Sequence, residues 1–404
     1  MKKLFLMRGP SGCGKTTLIK NLGLEKNTLA PDTLRTMFYG YEVFEDSTKI
    51  LKKDSYKIFK ELYYILEQRM ENGLLTIIDH SNLTEINIEK YKSLCLKYGY
   101  ECIVVNFKVP YDVLVERNTT RTDKKVPEDE LKKEFDEFNT QKIPSFCKVV
   151  KPENMEKEVA IKFQDVSKFK KIVHIGDIHG CATVLKEAIK DINFETLYIF
   201  HGDYIDRGLE NIEVLRYLIS IKRKPNVVLL KGNHELNLIK FVNGEEIYSN
   251  AFKETKEQIE KSNLSLRELK DFCKCLKNYY AYNYQGSKVF CTHGGISTFD
   301  IKEIALVSEY SFIVGSGDMN TTNIDKEFTD NVNGIYQVHG HRNPYNVDVT
   351  EYRNSINLEG EVEKGKYLRA VEHSKNGFAA RTYKNNVFKQ KLVDIENEDD
   401  IVEE

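Results

Sequence analysis

The sequence predicts two α/β domains in tandem, the first a parallel sheet flanked by helices. Three observations predict it. The 404 residues exceed one ordinary domain of ~100 to 200 residues. Short apolar runs alternate with 3.6-residue periodic segments in two separate series, the pattern of βαβ units. Between the series, around Pro144 to Gln164, the rhythm weakens into a stretch with Pro144, Pro152 and many Lys and Glu, and a new series opens at Lys171. The expected limits are 1–155 and 168–390, followed by an acidic tail, 391–404.

In the first series Lys3 to Arg8 is a strand and Lys15 to Leu22 a helix. A helical stripe over Thr48 to Met70 carries Ile50, Leu51, Ile58, Phe59, Leu62, Ile65 and Leu66 and stops at Gly73. Leu74 to Asp79 and Cys102 to Val109 are buried strands, with a helix between them closed by Gly99. The second series has strands at Ile172 to Ile175, Leu197 to Phe200 and Val227 to Leu230, a polar helical run over Glu245 to Tyr280, and a strand at Val289 to Thr292.

Composition narrows the function classes. With 60 Lys+Arg against 62 Asp+Glu, the net charge of −2 leaves no global basic field, so any polyanion must be gripped locally. No apolar run approaches the ~20 residues of a membrane span. Met1 to Met7 runs into a glycine-rich turn and reads as a buried strand rather than a signal peptide. The eight cysteines form no CxxC pair, so a reducing cytoplasm is expected.

Two constellations carry chemistry. Gly9-Pro-Ser11-Gly12-Cys13-Gly14-Lys15-Thr16-Thr17 has the GxxxxGK[ST] spacing between a strand and a helix. Its N–H groups would wrap phosphates, Lys15 would neutralise β- and γ-oxygens, and Thr16 would ligate Mg²⁺. Asp32 is either a helix N-cap or a general base, with Arg35 as an anion clamp. Asp79, at a strand's carboxyl end, is placed to position Mg²⁺-bound water or an acceptor. Arg117 and Arg121, four apart, are expected on one helical face, either as a solvated face or as a lid over the phosphoryl group.

The second constellation is Gly176-Asp177-Ile-His179-Gly180, Gly202-Asp203-Tyr-Ile-Asp206-Arg207-Gly208, Gly232-Asn233-His234-Glu235, Thr292-His293-Gly294-Gly295 and Gly340-His341-Arg342. The first three follow apolar strands and would converge on one rim. Carboxylate, imidazole and amide donors without thiolate suit a pair of Mn²⁺, Fe, Ni²⁺ or Zn²⁺ ions, which could clamp a phosphoryl group for in-line attack. His174 and His201 lie inside strand patterns and read as core.

The motifs GPSGCGKTT, PDTLR, IIDHSNLT and RNTTRTDKKVP, in that order over roughly the first 150 residues, resemble the phage-type polynucleotide 5′-kinase. That resemblance implies a P-loop kinase sheet, ATP or another NTP with Mg²⁺, and a catalytic set of Lys15, Asp32, Arg35 and Arg121, with Arg35 on the phosphate 3′ to the accepting nucleoside. Residues 170–370 resemble the calcineurin-like metallophosphatases. This implies an αββα sandwich in which Asp177, His179 and Asp203 hold one metal and Asp203, Asn233, His293 and His341 the other. His234 would protonate the leaving oxygen, Asp206 would orient it, and Arg207 would hold the phosphate. His341 is preferred to His339 because it follows Gly340. Ser355-Ile-Asn-Leu-Glu-Gly360 lacks the Asp usual in the phosphoprotein-phosphatase branch.

Together these readings point to an enzyme that heals RNA or DNA ends, phosphorylating a 5′-OH and removing a 3′, 2′ or 2′,3′-cyclic phosphate, with a separate ligase as partner. The alternatives are a small-molecule or nucleoside kinase fused to a phosphatase of phosphoproteins or dinucleoside polyphosphates, and an NTP-gated scaffold without turnover.

Overall fold

The computed structural model describes residues 2–44, 47–51, 53–121 and 125–386; the acidic tail lies outside them. The chain divides into two compact units, Met1–Ile161 with Asp300–Glu309, and Lys162–Phe299 with Tyr310–Glu404. The decapeptide from inside the second stretch groups with the first unit, where the Asn27 side-chain amide donates to Leu75 O at 3.2 Å and Ala305 O at 2.8 Å.

The first unit is a five-stranded parallel sheet in the order Thr28–Leu29, Thr76–Ile78, Lys3–Arg8, Glu101–Asn106, Lys148–Val150. Leu4, Leu6, Ile78, Cys102 and Val104 bury one sheet face against Ile58, Leu62, Leu66 and Met70 of the helix Ser55–Glu71. That helix is shorter than the periodic stripe. Ser47–Ile50 is a strand paired with Tyr41–Phe44, and Asp54 starts the helix by accepting the Lys57 N–H at 3.1 Å, so Ile50 and Leu51 lie outside it. A side-chain cap outweighs continuing periodicity because it satisfies an orphan backbone donor.

The second unit stacks two five-stranded sheets. One runs Val227–Leu229, Thr196–Phe200, Lys171–Ile175, Tyr367–Ser374, Gly377–Lys384, and the other Ser355–Asn357, Ile335–His339, Ser287–Thr292, Tyr279–Tyr284, Gln164–Asp165. Ile172, Leu197, Ile199, Tyr282, Val289, Cys291 and Val338 form the apolar layer between them. A second cluster packs the outer face of the first sheet with Val184, Leu185, Val214, Leu215, Leu218, Leu238, Phe252 and Leu269 from five helices. Residues 245–250 precede those last helices as a loop, so the polar helical run is two helices, Ala251–Lys261 and Leu266–Cys273. This is a mixed α/β fold with parallel strands and flanking helices in both units. Among the described residues no helix is long and apolar enough to cross a membrane.

His174 and His201 are fully buried in the sandwich and hydrogen-bonded. His201 Nδ1 meets Thr292 O at 3.0 Å and must donate, so its Nε2 accepts from His174 Nδ1 at 3.0 Å. His174 Nε2 then accepts from Tyr282 OH at 3.0 Å, and His373 Nδ1 donates to Tyr282 at 2.9 Å. One carbonyl therefore sets the direction of the whole chain of hydrogen bonds. Cys291 lies 3.9 Å from His174, but every imidazole nitrogen in the His174–His201 pair is already partnered without a metal.

Candidate functional site

In the first unit the strand Lys3–Arg8 hands the chain to the glycine-rich loop, and Gly14, in the left-handed region at φ 103°, caps the helix Lys15–Asn21. Only glycine adopts that conformation without strain. Lys15 Nζ donates to Gly9 O at 2.7 Å and Pro10 O at 3.0 Å, which holds the ammonium inside the loop. Thr16 Oγ1 donates to Asp79 Oδ2 at 2.7 Å, joining two residues expected at Mg²⁺. Arg117 Nη1 donates to Gly12 O at 3.4 Å, and the Ser11 N–H donates to Glu134 at 2.6 Å.

Asp32 is the second residue of the helix Pro31–Tyr39, whose N-cap is Ala30, so the N-cap alternative is excluded. Its carboxylate accepts from Arg35 Nη1 at 3.0 Å. His80 is linked to this group: burial first, then Lys15 and Arg35, push its imidazole down to about 4 while Asp32 opposes them. The charges of Lys15, Asp32 and Arg35 thus all act on one imidazole. The expectation for the two arginines is corrected. The helix Tyr111–Thr119 carries Arg117 but ends before Arg121, whose N–H reaches only Asn118 O at 3.4 Å, so the pair shares no helical face. Asn118 binds Val126 through both amide atoms, at 2.7 and 3.1 Å. Residues 122–124 of the lid motif lie outside the described residues.

In the second unit, strand register builds the site. Ile175 pairs with Phe200 and Phe200 with Leu229, so the turns carrying Asp177, Asp203 and Asn233 leave one sheet at the same edge. In the other sheet Cys291 pairs with Val338, bringing His293 and His341 out together. His179, Asp203, Asp206, Arg207 and His341 all have positive φ, between 40° and 72°. Such conformations cost of order 1 to 3 kcal/mol each and persist only where surroundings over-determine them.

Those surroundings are visible. Glu235, fully buried, accepts the N–H groups of Asp203 at 2.9 Å, Tyr204 at 2.9 Å and Gly232 at 2.8 Å. Asn211 accepts the Asp206 N–H and donates to Gly208 O, both at 2.8 Å, locking the Asp206–Arg207 turn. Glycine is required where backbone meets carboxylate: a Cβ on Gly340 would lie 1.9 Å from Asp177 Oδ1 and one on Gly232 2.1 Å from Asp203 Oδ1.

The donors converge as a metal site requires. His293 Nδ1 donates to His201 O at 2.8 Å, leaving the Nε2 lone pair 3.1 Å from Asp203 Oδ1. His179 Nδ1 likewise meets Ile205 O at 3.2 Å, and its Nε2 lies 3.5 Å from Asp203 Oδ2. Backbone carbonyls holding the far ring nitrogen are the usual support of metal-binding imidazoles. The Asn233 side-chain oxygen faces both Asp203 oxygens and His293 Nε2 at 3.2 Å, and His341 Nδ1 at 3.0 Å. Rotating the amide would offer two protons to four lone pairs; a cation satisfies all of them. Asp177 Oδ1 is buried without a partner among the described residues, while Oδ2 accepts the His341 N–H at 2.9 Å. The residues present therefore fit two divalent ions sharing Asp203, where two close groups of side chains meet: Asp203 with His179 and with His234, the expected proton donor, and Asp203 with His293 and His341.

Electrostatics agree. Burial alone would raise Asp203, but the imidazoles of His293, His234 and His179 hold it well below the usual carboxylate range. Asp177, pressed by burial, Glu359 and Asp203, goes well above it, as an uncompensated buried carboxylate must. His234 Nδ1 is 2.7 Å from Asp206 Oδ2, which also accepts on Oδ1 from Thr255. His234 Nε2 faces Asp203 at 4.0 Å. Burial opposes protonation of His234, yet Asp203 and Asp206 together raise it. Arg207 Nη1 lies 3.2 Å from His179 Nε2 and 3.4 Å from Glu363 Oε1.

His339, by contrast, turns away. Its Nε2 pairs with Asp325 at 2.9 Å, and Asp325 also accepts from Ser355 at 2.6 Å and Asn357 at 3.0 Å. Sequence reasoning missed Glu235, Asn211, Thr255 and Glu363. Glu235 carried a signal, since it closes the GNHE motif; Thr255, in a polar helix, carried none.

Comparison with known proteins places residues 4–141 in a match to the AAA domain and residues 170–376 in a match to the calcineurin-like phosphoesterase family. Among solved structures, a protein serine/threonine phosphatase from Saccharomyces cerevisiae is 16% identical over 57% of this chain and 86% of its own, with a TM-score of 0.40. A cold-active protein tyrosine phosphatase of Shewanella sp. is 17% identical over 56% and 84%, at 0.37. A Chloroflexus aurantiacus protein assigned as a kinase is 20% identical over 37% and 86%, at 0.30. The chain is thus a kinase-like P-loop domain fused to a metallophosphatase domain. With that match spanning half its length and the donor set in place, the chain belongs to the calcineurin-like phosphoesterase family.

Proposed function

We propose that the chain is a bifunctional nucleic-acid end-healing enzyme, transferring the γ-phosphate of ATP or another NTP to 5′-OH polynucleotide ends and removing 3′, 2′ or 2′,3′-cyclic phosphates. The observation that supports it is one chain carrying both a phosphate loop that holds Lys15, followed by the paired Asp32 and Arg35, and a fitted two-metal donor set. In the first unit Lys15 neutralises the transferring phosphoryl group, Asp32 takes the proton of the attacking hydroxyl, Arg35 holds the neighbouring substrate phosphate, and Arg117 and Arg121 serve the nucleotide. Thr16 and Asp79 would hold Mg²⁺.

In the second unit Asp177, His179, Asp203, Asn233, His293 and His341 would hold the two metals. Such a pair, Mn²⁺ being our assignment, supplies a water of lowered pKa and charge neutralisation at phosphorus. Asp206 fixes the His234 tautomer and turns Nε2 toward the site, where it gives a proton to the leaving oxygen. Arg207 holds the phosphate. RNA or DNA ends are the proposed partners, with sealing left to a separate ligase.

Labelled ATP offered to a 5′-OH oligonucleotide and, separately, to free nucleosides tests the reading. Label in the oligonucleotide, lost in Lys15→Ala with phosphatase activity retained, is expected; label in nucleosides alone overturns it.

A further inference from the structure

Two buried carboxylates near the phosphatase centre have no part in the chemistry above. Glu363 is 4% exposed and Glu359 8% exposed. Glu363 Oε1 lies 3.4 Å from Arg207, and Oε2 is buried with no partner among the described residues. Glu359 raises Asp177 electrostatically and accepts the Glu361 N–H at 2.6 Å. Burying a carboxylate is costly unless it is fully paired, and Glu363 is not. Among the charges that Arg207 feels, Glu363 comes first, followed by Asp203, Glu359 and Asp177. Asp177 and Asp203 belong to the metal donor set. Glu363 is negative charge directed at Arg207, the guanidinium assigned to the substrate phosphate, while Glu359 acts on both Arg207 and Arg369.

That placement matters most for a substrate's charge. A phosphomonoester is a dianion at neutral pH and a phosphodiester a monoanion. A carboxylate beside the arginine that holds the phosphate repels a dianion about twice as strongly as a monoanion, and its pairing with Arg207 leaves less positive charge to match the second negative charge. We propose that Glu363, assisted by Glu359, biases this site, among the phosphates named above, toward the monoanionic 2′,3′-cyclic diester and other phosphodiesters and against the dianionic 3′ and 2′ monoesters. The proposal rests on the phosphoesterase reading of the same site and names its substrate class. In the reaction the water oxygen bonds to phosphorus and one ester P–O bond breaks. His234 gives its proton to the leaving oxygen and regains one from the water, whose second proton stays on the product phosphomonoester or passes to solvent.

The test compares the full chain with Glu363→Gln, which keeps the shape and removes the charge. With manganese present, kcat/KM is measured for bis(p-nitrophenyl) phosphate and for p-nitrophenyl phosphate. The monoester-to-diester ratio is expected to rise at least about fivefold in the variant. Calorimetric titration at pH 8 gives a readout independent of turnover: inorganic phosphate should bind tighter to the variant, with dimethyl phosphate unchanged. Should Glu363→Gln lose its circular dichroism, Glu359→Gln carries the same comparison. An unchanged ratio and unchanged phosphate affinity, with both esters hydrolysed, overturn the proposal and leave the phosphoesterase reading standing. Hydrolysis of neither ester by the wild-type chain overturns that reading and the proposal with it.

Discussion

Glu235 offers the sharpest quantitative test of how the phosphatase centre is held. Its Oε2 accepts the Asp203 and Gly232 N–H groups and its Oε1 that of Tyr204, at 2.8 to 2.9 Å and with no solvent exposure. These bonds pin Asp203, the residue common to both donor clusters, in the left-handed region at φ 49°. Glu235→Ala leaves three buried donors unpaired at about 1 to 3 kcal/mol each, partly offset by removing a buried carboxylate, so a loss of about 4 to 6 kcal/mol is expected. Glu235→Gln keeps one oxygen. With it at Oε2 two bonds survive, and a single unmet N–H facing the new amide should cost about 1 to 3 kcal/mol. Urea denaturation followed by circular dichroism reads stability, and manganese-dependent release of p-nitrophenol reads the centre. The expected order is wild type, Gln, Ala in both. An Ala variant with wild-type stability, or a Gln variant as damaged as Ala, would refute the assignment of these bonds.

Other outcomes follow from the same geometry. Gly340→Ala drives a Cβ to 1.9 Å from Asp177 Oδ1, so the carboxylate must shift; metal analysis of the purified variant should show less than the two ions expected for wild type, and full occupancy would contradict the donor set. His373, stacked on Phe378 at 4.0 Å and buried, has its imidazole pushed down to about 4 by that burial. Because the neutral ring is the folded form, its contribution is complete above the unfolded value near 6.5 and is lost as pH falls toward 4, at up to about 1.4 kcal/mol per pH unit. An NMR titration of the His373 ring with a midpoint at or above 6.5 would refute this.

The sequence by itself determined the local units: a strand, a glycine loop and a helix around Lys15, and turns of Gly, Asp, His and Asn after apolar strands. These are short-range features, in which backbone conformation and neighbouring side chains decide the outcome. It could not decide where polar atoms from distant segments meet, because that depends on strand register and on the path by which the chain returns. Register brought His341, not His339, beside Asp203 and gave His339 to Asp325. The helix starts only after the cap at Asp54, so the first residues of the helical stripe fall in a strand, and the end of a helix at Thr119 separated Arg121 from Arg117. Glu363 reaches Arg207 across 156 positions, a pairing no local pattern encodes. Motif chemistry is written in a few adjacent residues, whereas the strain, support and surplus charge around it exist only once the two sheets have closed on each other.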